Sequence, residues 1–291
     1  MLSRLFGAIV AAAAALAIAR CGGAPTGPTP PVDTPPNTPP RVTSVTLGGQ
    51  RIEADDQTSA TAVVEDAETP VDQLTYDWSA APASGTFTGI GRQVKWQAPR
   101  QQTTPALYTV TLTVTETYTA GGQVKQNKAS GSAQIHYNDS GAEIRKISMR
   151  FLTELFPTYS VTPAEAVQDF TDSCKGKSDE LSDITGNRKN FQIYSGVYTI
   201  NSIDVHPDRL HADVTGICEF HDIPTDPSNP NYGRKEKITG TCALTTVYEN
   251  WRWYLCESHF LQPASITLES LRYRVPGQIV PPDWLLRRSP R

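Results

Sequence analysis

The chain has 291 residues, 19 % of them charged, and a formal net charge of −4. No basic field is available to attract a polyanion, which excludes nucleic acid as a partner. With both ends set aside, about 250 residues suit two ordinary domains of roughly 100–150 residues each.

Arg4 is followed by an apolar run from Leu5 to Ala19, shorter than the roughly 20 strongly apolar residues a membrane span needs. A positive start, a short apolar run and small residues before a cut site describe an export signal. Ile18-Ala19-Arg20-Cys21-Gly22 resembles the lipobox of bacterial lipoproteins, in which the cysteine is lipidated and becomes the mature N-terminus. Arg20 departs from that pattern, which has a small residue before the cysteine. Cleavage after Ala17-Ile18-Ala19 is the alternative, and it would leave Cys21 as a free thiol near the new end. The resemblance implies a lipoprotein signal peptide over 1–21, a membrane reached through a lipid on Cys21 and, from Gly22, an outer-membrane address. Residues 22–40 are rich in Pro and Thr, so neither helix nor sheet ladder can form there. They predict a disordered, extended stalk of about 3.1 Å per residue, or roughly 50–60 Å in all.

Residues 41–138 carry a period of two. Val110, Leu112 and Val114 fall on one face of Leu107–Thr115 and threonines on the other, as a half-buried antiparallel strand requires. Shorter strands are predicted at Thr43–Leu47, Ser59–Val64, Leu74–Ser79, Gln93–Gln97 and Gly131–His136, a spacing that suggests a sandwich. The runs Asp66-Ala67-Glu68-Thr69-Pro70, Leu74-Thr75-Tyr76-Asp77-Trp78 and Val94-Lys95-Trp96-Gln97-Ala98-Pro99 resemble an immunoglobulin-like repeat of the polycystic-kidney-disease (PKD) type. That resemblance implies an all-β sandwich with Trp78 filling its core and Tyr108 at a corner. It further implies a spacer or a protein- or carbohydrate-binding module. Glu65, Asp66, Glu68 and Asp72 form an acidic loop. They are candidate calcium ligands by their oxygen chemistry, but they lack an Asp-x-Asp-x-Asp run with its glycine. A solvated loop is the competing reading.

Residues 140–264 change period. Ile144, Ile147, Phe151, Leu152 and Leu155 recur at three and four positions, one face of an amphipathic helix. Thr162-Pro163-Ala164-Glu165 is a capping box with proline at the first helical position. A third helix is predicted from Ser178 past Leu181 and Ile184. Strands then return. Leu210, Ala212, Val214, Cys218 and Phe220 share one face, and Ile238, Gly240, Cys242, Leu244 and Tyr248 another. Helices followed by long antiparallel strands predict an α+β layer architecture. Tyr248-Glu249-Asn250 leading to Trp253-Tyr254-Leu255-Cys256 resembles the last hairpin of the cone-shaped nuclear-transport-factor-2-like (NTF2-like, cystatin-like) fold. The four cysteines depart from that fold.

An even set of cysteines in an exported chain reads as two disulfides, with three possible connectivities. Cys218 and Cys242 lie on matching faces of strands that should pair, which favours Cys218–Cys242 and leaves Cys174–Cys256. Cys218–His221 and Cys256–His259 are both C-x-x-H pairs, but residues three apart on a strand point to opposite faces. Zinc is therefore not expected, and no cofactor motif appears. Continuing the alternation from Trp253 and Leu255 would aim Glu257 and His259 inward, within reach of Tyr198 as a candidate acid–base set. An exposed strand end is the alternative. Residues 265–291 form a tail with Arg272, Arg274, Arg287, Arg288 and Arg291, while Leu268, Leu271, Val275 and Ile279 could dock on a domain. A loose terminus is the other reading. Three functions are left open. They are a non-enzymatic, envelope-anchored binding or presentation module, an exported enzyme using the cone cavity, and a structural or assembly subunit of an envelope complex.

Overall fold

The computed structural model describes residues 37–261. Cys21, most of the stalk and the tail lie outside the described residues. The described chain is mostly β-sheet with few helices.

The first eight strands are β1 (Arg41–Leu47), β2 (Arg51–Glu53), β3 (Gln57–Glu65), β4 (Thr75–Ala81), β5 (Thr86–Ile90), β6 (Gln93–Gln97), β7 (Ala106–Ala120) and β8 (Gln123–Asn138). They form two four-stranded sheets, ordered β1-β3-β6-β5 and β2-β8-β7-β4. Alternation buries Tyr108, Val110, Leu112 and Val114 of β7; the first two meet Ala60, Val94 and Trp96 from the other sheet, and the last two meet Ala62 and Val64. Each such side chain contributes about 1.5–3 kcal/mol by leaving water. The core tryptophan is Trp96, fully buried on β6 between β3 and β5; Trp78 is only half-buried. Trp78 packs against both core clusters of this domain but from the rim, and the reason is position. β4 is an edge strand, so Trp78 has a strand neighbour on one side alone. Tyr108 is buried, with its hydroxyl 2.8 Å from Ser84 Oγ. β7 and β8 are joined by Gly121 and Gly122, at φ +60° and +74°, as a two-residue hairpin turn with both central residues left-handed requires.

β8 runs into the second domain almost without a linker. Asp139 caps α1 (Ser140–Arg150) by accepting from the Ala142 amide at 2.9 Å. A π-helical turn, Phe151–Leu155, follows, then α2 (Pro163–Ala166) with both bonds of its capping box in place, then α3 (Gly176–Asn190). The remaining strands, β9 (Phe191–Val205), β10 (His211–Pro224), β11 (Glu236–Glu249) and β12 (Arg252–Leu261), form one antiparallel sheet in the order β12-β11-β10-β9. The helices, with the segment between α2 and α3, bring Ile144, Phe151, Leu152, Ala166, Phe170 and Ile184 onto one face of it. There they meet Tyr198, Val214, Cys218, Leu244, Trp253 and Leu255. Leu210, assigned by alternation to this face, instead lies exposed in the turn before β10.

Candidate functional site

The helix-covered face of the second sheet is closed by its own chemistry. Gly216 stands opposite Cys242, and Gly240 opposite Cys218, so Cys218 and Cys242 approach diagonally, Cα to Cα 5.7 Å, and are joined. A Cβ at Gly216 would collide with the Tyr198 ring and the Thr199 carbonyl, and one at Gly240 with the Phe260 ring. The two glycines therefore admit those rings beside the disulfide. Phe220 packs between Phe156 at 5.0 Å and Phe260 at 5.8 Å. Tyr198 is buried there with its hydroxyl unpartnered, and burial pushes it up to about 12.

Glu257 and His259 do not join Tyr198. β12 carries a bulge at Cys256: Leu255 opposes Thr246, while Glu257 already opposes Thr245. One extra residue reverses the alternation. Trp253, Leu255, Ser258 and Phe260 share the helix-covered face, and Glu257 and His259 turn to the opposite one. The inward expectation for this pair is thus overturned, and the sheet separates it from Tyr198. His259 Nε2 lies 3.3 Å from Glu257 Oε2. The bulge has a visible cause. The outer edge of β12 pairs with the segment before α3, where the Leu255 amide donates to the Asp169 carbonyl at 2.9 Å. The Thr171 amide in turn donates to the Leu255 carbonyl at 3.0 Å. Cys174 then bridges to Cys256, Cα to Cα 5.3 Å.

The flip brings together a pair that sequence reasoning missed. Ser258 Oγ bonds the carboxyl of Glu180 on α3. Burial, and then the nearby Asp183 charge, push Glu180 up to about 7 against the Ser258 bond, which lowers it. Asp222, on the same face of β10, is raised to about 6 by burial and then by Glu236. Glu180 was findable, because it stands four residues before Ile184 on the inward stripe of α3. Extending the Val214–Cys218–Phe220 alternation by one step finds Asp222.

The acidic loop spends its carboxylates on its own geometry. Asp66 Oδ1 accepts from the Glu68 and Thr69 amides at 3.0 and 2.7 Å, and Glu68 accepts from the Thr38 amide and hydroxyl at 3.2 and 2.8 Å. Glu65 and Asp72 are exposed. Among the described residues no group of three or more His, Cys, Asp and Glu side chains is placed to hold a metal ion. The cysteine of each C-x-x-H pair is oxidised.

The densest polar network lies where the two domains meet. Arg51 of β2 lies over the Tyr248 ring at 3.5 Å and pairs with Glu53. It also donates to Ser140 Oγ at 3.1 Å and to the Arg209 carbonyl at 2.8 Å. Glu53 accepts from the Ser140 amide and hydroxyl at 3.1 and 2.9 Å, and Ser140 Oγ accepts from the Trp253 indole at 2.9 Å. Glu143 receives Thr104, the Asn138 amide group at 2.8 Å and the Trp253 backbone at 3.2 Å. At the tip of the β11–β12 hairpin Asn250 and Trp251 sit at φ +49° and +65°, which costs a non-glycine residue about 1–2 kcal/mol. Trp251 is held there by stacking on His136 of β8, centroids 3.8 Å apart and planes 3° apart.

Two disulfides place the chain in an oxidising compartment outside the cytoplasm. No helix among the described residues is long and apolar enough to cross a membrane. No protein-family model matches the chain, and no curated protein does. Among solved structures, the intermembrane-space region of the chloroplast protein ARC6 is similar at 14 % identity and TM-score 0.34, over 43 % of this chain and 98 % of that one. A conserved protein from Planctomyces limnophilus is similar at 15 % identity and TM-score 0.33, over 42 % and 97 %. An NTF2-like superfamily protein from Salmonella enterica serovar Typhimurium is similar at 16 % identity and TM-score 0.33, over 44 % and 94 %.

Proposed function

We propose that this chain is an exported, lipid-tethered module of the cell envelope that binds or presents a protein or carbohydrate rather than transforming a substrate. The observation that carries this reading is the packing of the helix-covered face. Where a cone of the NTF2-like type would open a cavity, Tyr198, Phe220, Leu244 and the Cys218–Cys242 bridge fill the space. The separation of Glu257 and His259 from Tyr198 by the sheet weighs against acid–base catalysis. The PKD-type resemblance of the first domain supports a contact role, and the polar joint supports presentation at a fixed orientation. Cys21 supplies the tether in this reading.

Two measurements in the native cell test it. A Cys21→Ala chain loses incorporation of a fatty-acid label and moves to the soluble fraction; retention on the membrane without label would remove the tether. A triple variant, Tyr198→Phe with Glu257→Gln and His259→Gln, leaves the cellular role intact. A folded, correctly located triple variant that fails to replace the wild type restores the enzyme reading.

A further inference from the structure

The face of the second sheet turned away from the helices is unevenly covered. On its β9–β10 side Val197 and Ile217 are 50 % and 42 % exposed, and they are diagonal neighbours, because Ile217 opposes Thr199 and Glu219 opposes Val197. On its β11–β12 side Ala243 and His259, which oppose each other, are 5 % and 8 % exposed. That burial falls on a face opposite to the one where α1, α2 and α3 are gathered. The register also places the last described residue of the chain. Leu261 opposes Thr241, Thr241 opposes Ile217, and Ile217 opposes Thr199. The last described residue therefore stands in the same row as the exposed apolar patch, two strand spacings, or about 10 Å, from Ile217.

Thirty residues follow, 262–291, ample to cross a four-stranded sheet. They include Leu268, Leu271, Val275 and Ile279, and five arginines against Glu269 and Asp283. The face they would meet carries Asp204, Asp213, Glu219 and Glu257, of which Glu219 is paired to Lys237 and His221, Asp213 to His206 and Glu257 to His259. We propose that the C-terminal segment folds back across this outer face, its apolar residues seated on Val197, Ile217 and Ala243, and so acts as the sheet's second cover. The position of Leu261, the apolar complement and the charge all favour the chain's own segment over a second copy or a lipid surface.

The test is made on the full mature chain with photoreactive benzoylphenylalanine in place of Ile217. Irradiation is expected to join that strand to a peptide from 263–291 at monomer mass. A crosslink at dimer mass only, or none to the tail, overturns the proposal. Because the bulky probe could itself displace a cover, a second variant leaves the face native. Leu268→Asp with Leu271→Asp is expected to raise binding of an apolar fluorescent dye and to shift the His259 ring resonances. Unchanged dye binding and unchanged His259 resonances in that variant overturn the proposal equally.

Discussion

Among the described residues no cation pairs with Glu180, and its hydrogen-bond partner is the neutral hydroxyl of Ser258. A buried carboxyl of this kind binds its proton more tightly in the folded than in the unfolded chain. Its stabilising contribution is complete below the ordinary value near 4.5 and is lost as pH rises through about 7. Asp222, raised to about 6, acts in the same direction. Denaturant midpoints should therefore fall between about pH 4.5 and 7. Glu180→Gln should flatten most of that fall and exceed the wild type at pH 8 by on the order of 2–3 kcal/mol. A parallel pH profile for the two proteins, measured by urea titration, would refute the assignment. Spacing to Ile184 marks Glu180 as inward, but burial decides how tightly it holds its proton. In the sequence Glu180 is one acid among the 30 Asp and Glu.

At the scale of elements, the disulfides do different jobs. Cys218–Cys242 closes a separation of 24 residues within a sheet already paired by backbone bonds, whereas Cys174–Cys256 closes 82 and staples the entry of α3 to the bulge of β12. Loop-closure entropy assigns about 3.5 kcal/mol to the first and about 4.5 kcal/mol to the second. Cys174→Ser with Cys256→Ser should thus be the more damaging pair, and it should also loosen α3, seen as faster amide exchange over Gly176–Asn190. Equal loss from both pairs, with α3 exchange unaltered, would contradict this division. The amphipathic spacing of α1, the capping box of α2 and the faces of β7, β10 and β11 were legible because local periodicity states them. The bulge at Cys256 was not, because it goes with the pairing of Leu255 to Asp169 and Thr171, far back in the chain, and with a disulfide that spans 82 residues. That single insertion moved Glu257 and His259 to the other side of the sheet.

At the scale of the molecule, the joint ties the two domains together through buried hydrogen bonds. Buried Asn138, Ser140 and Glu143 are satisfied only by groups from both sides. Breaking such a network leaves buried polar groups without partners, which costs about 1–3 kcal/mol each. Arg51→Ala with Glu143→Ala should split a single thermal transition into two and broaden the distance distribution between spin labels on the two domains. A single sharp transition and an unchanged distribution in the variant would mean that the joint does not fix their orientation.

What the amino-acid order determined by itself is what depends on neighbours along the chain. It specified strands where β-branched residues alternate, helices where apolar residues recur at three and four, and a change of architecture near residue 139. Tertiary structure alone decided which tryptophan is central, where β12 changes face, which carboxyl is denied water, and how Arg51 reaches Tyr248. Each of those depends on residues far apart in sequence, and a buried charge or an interrupted alternation takes its meaning only from what is packed against it.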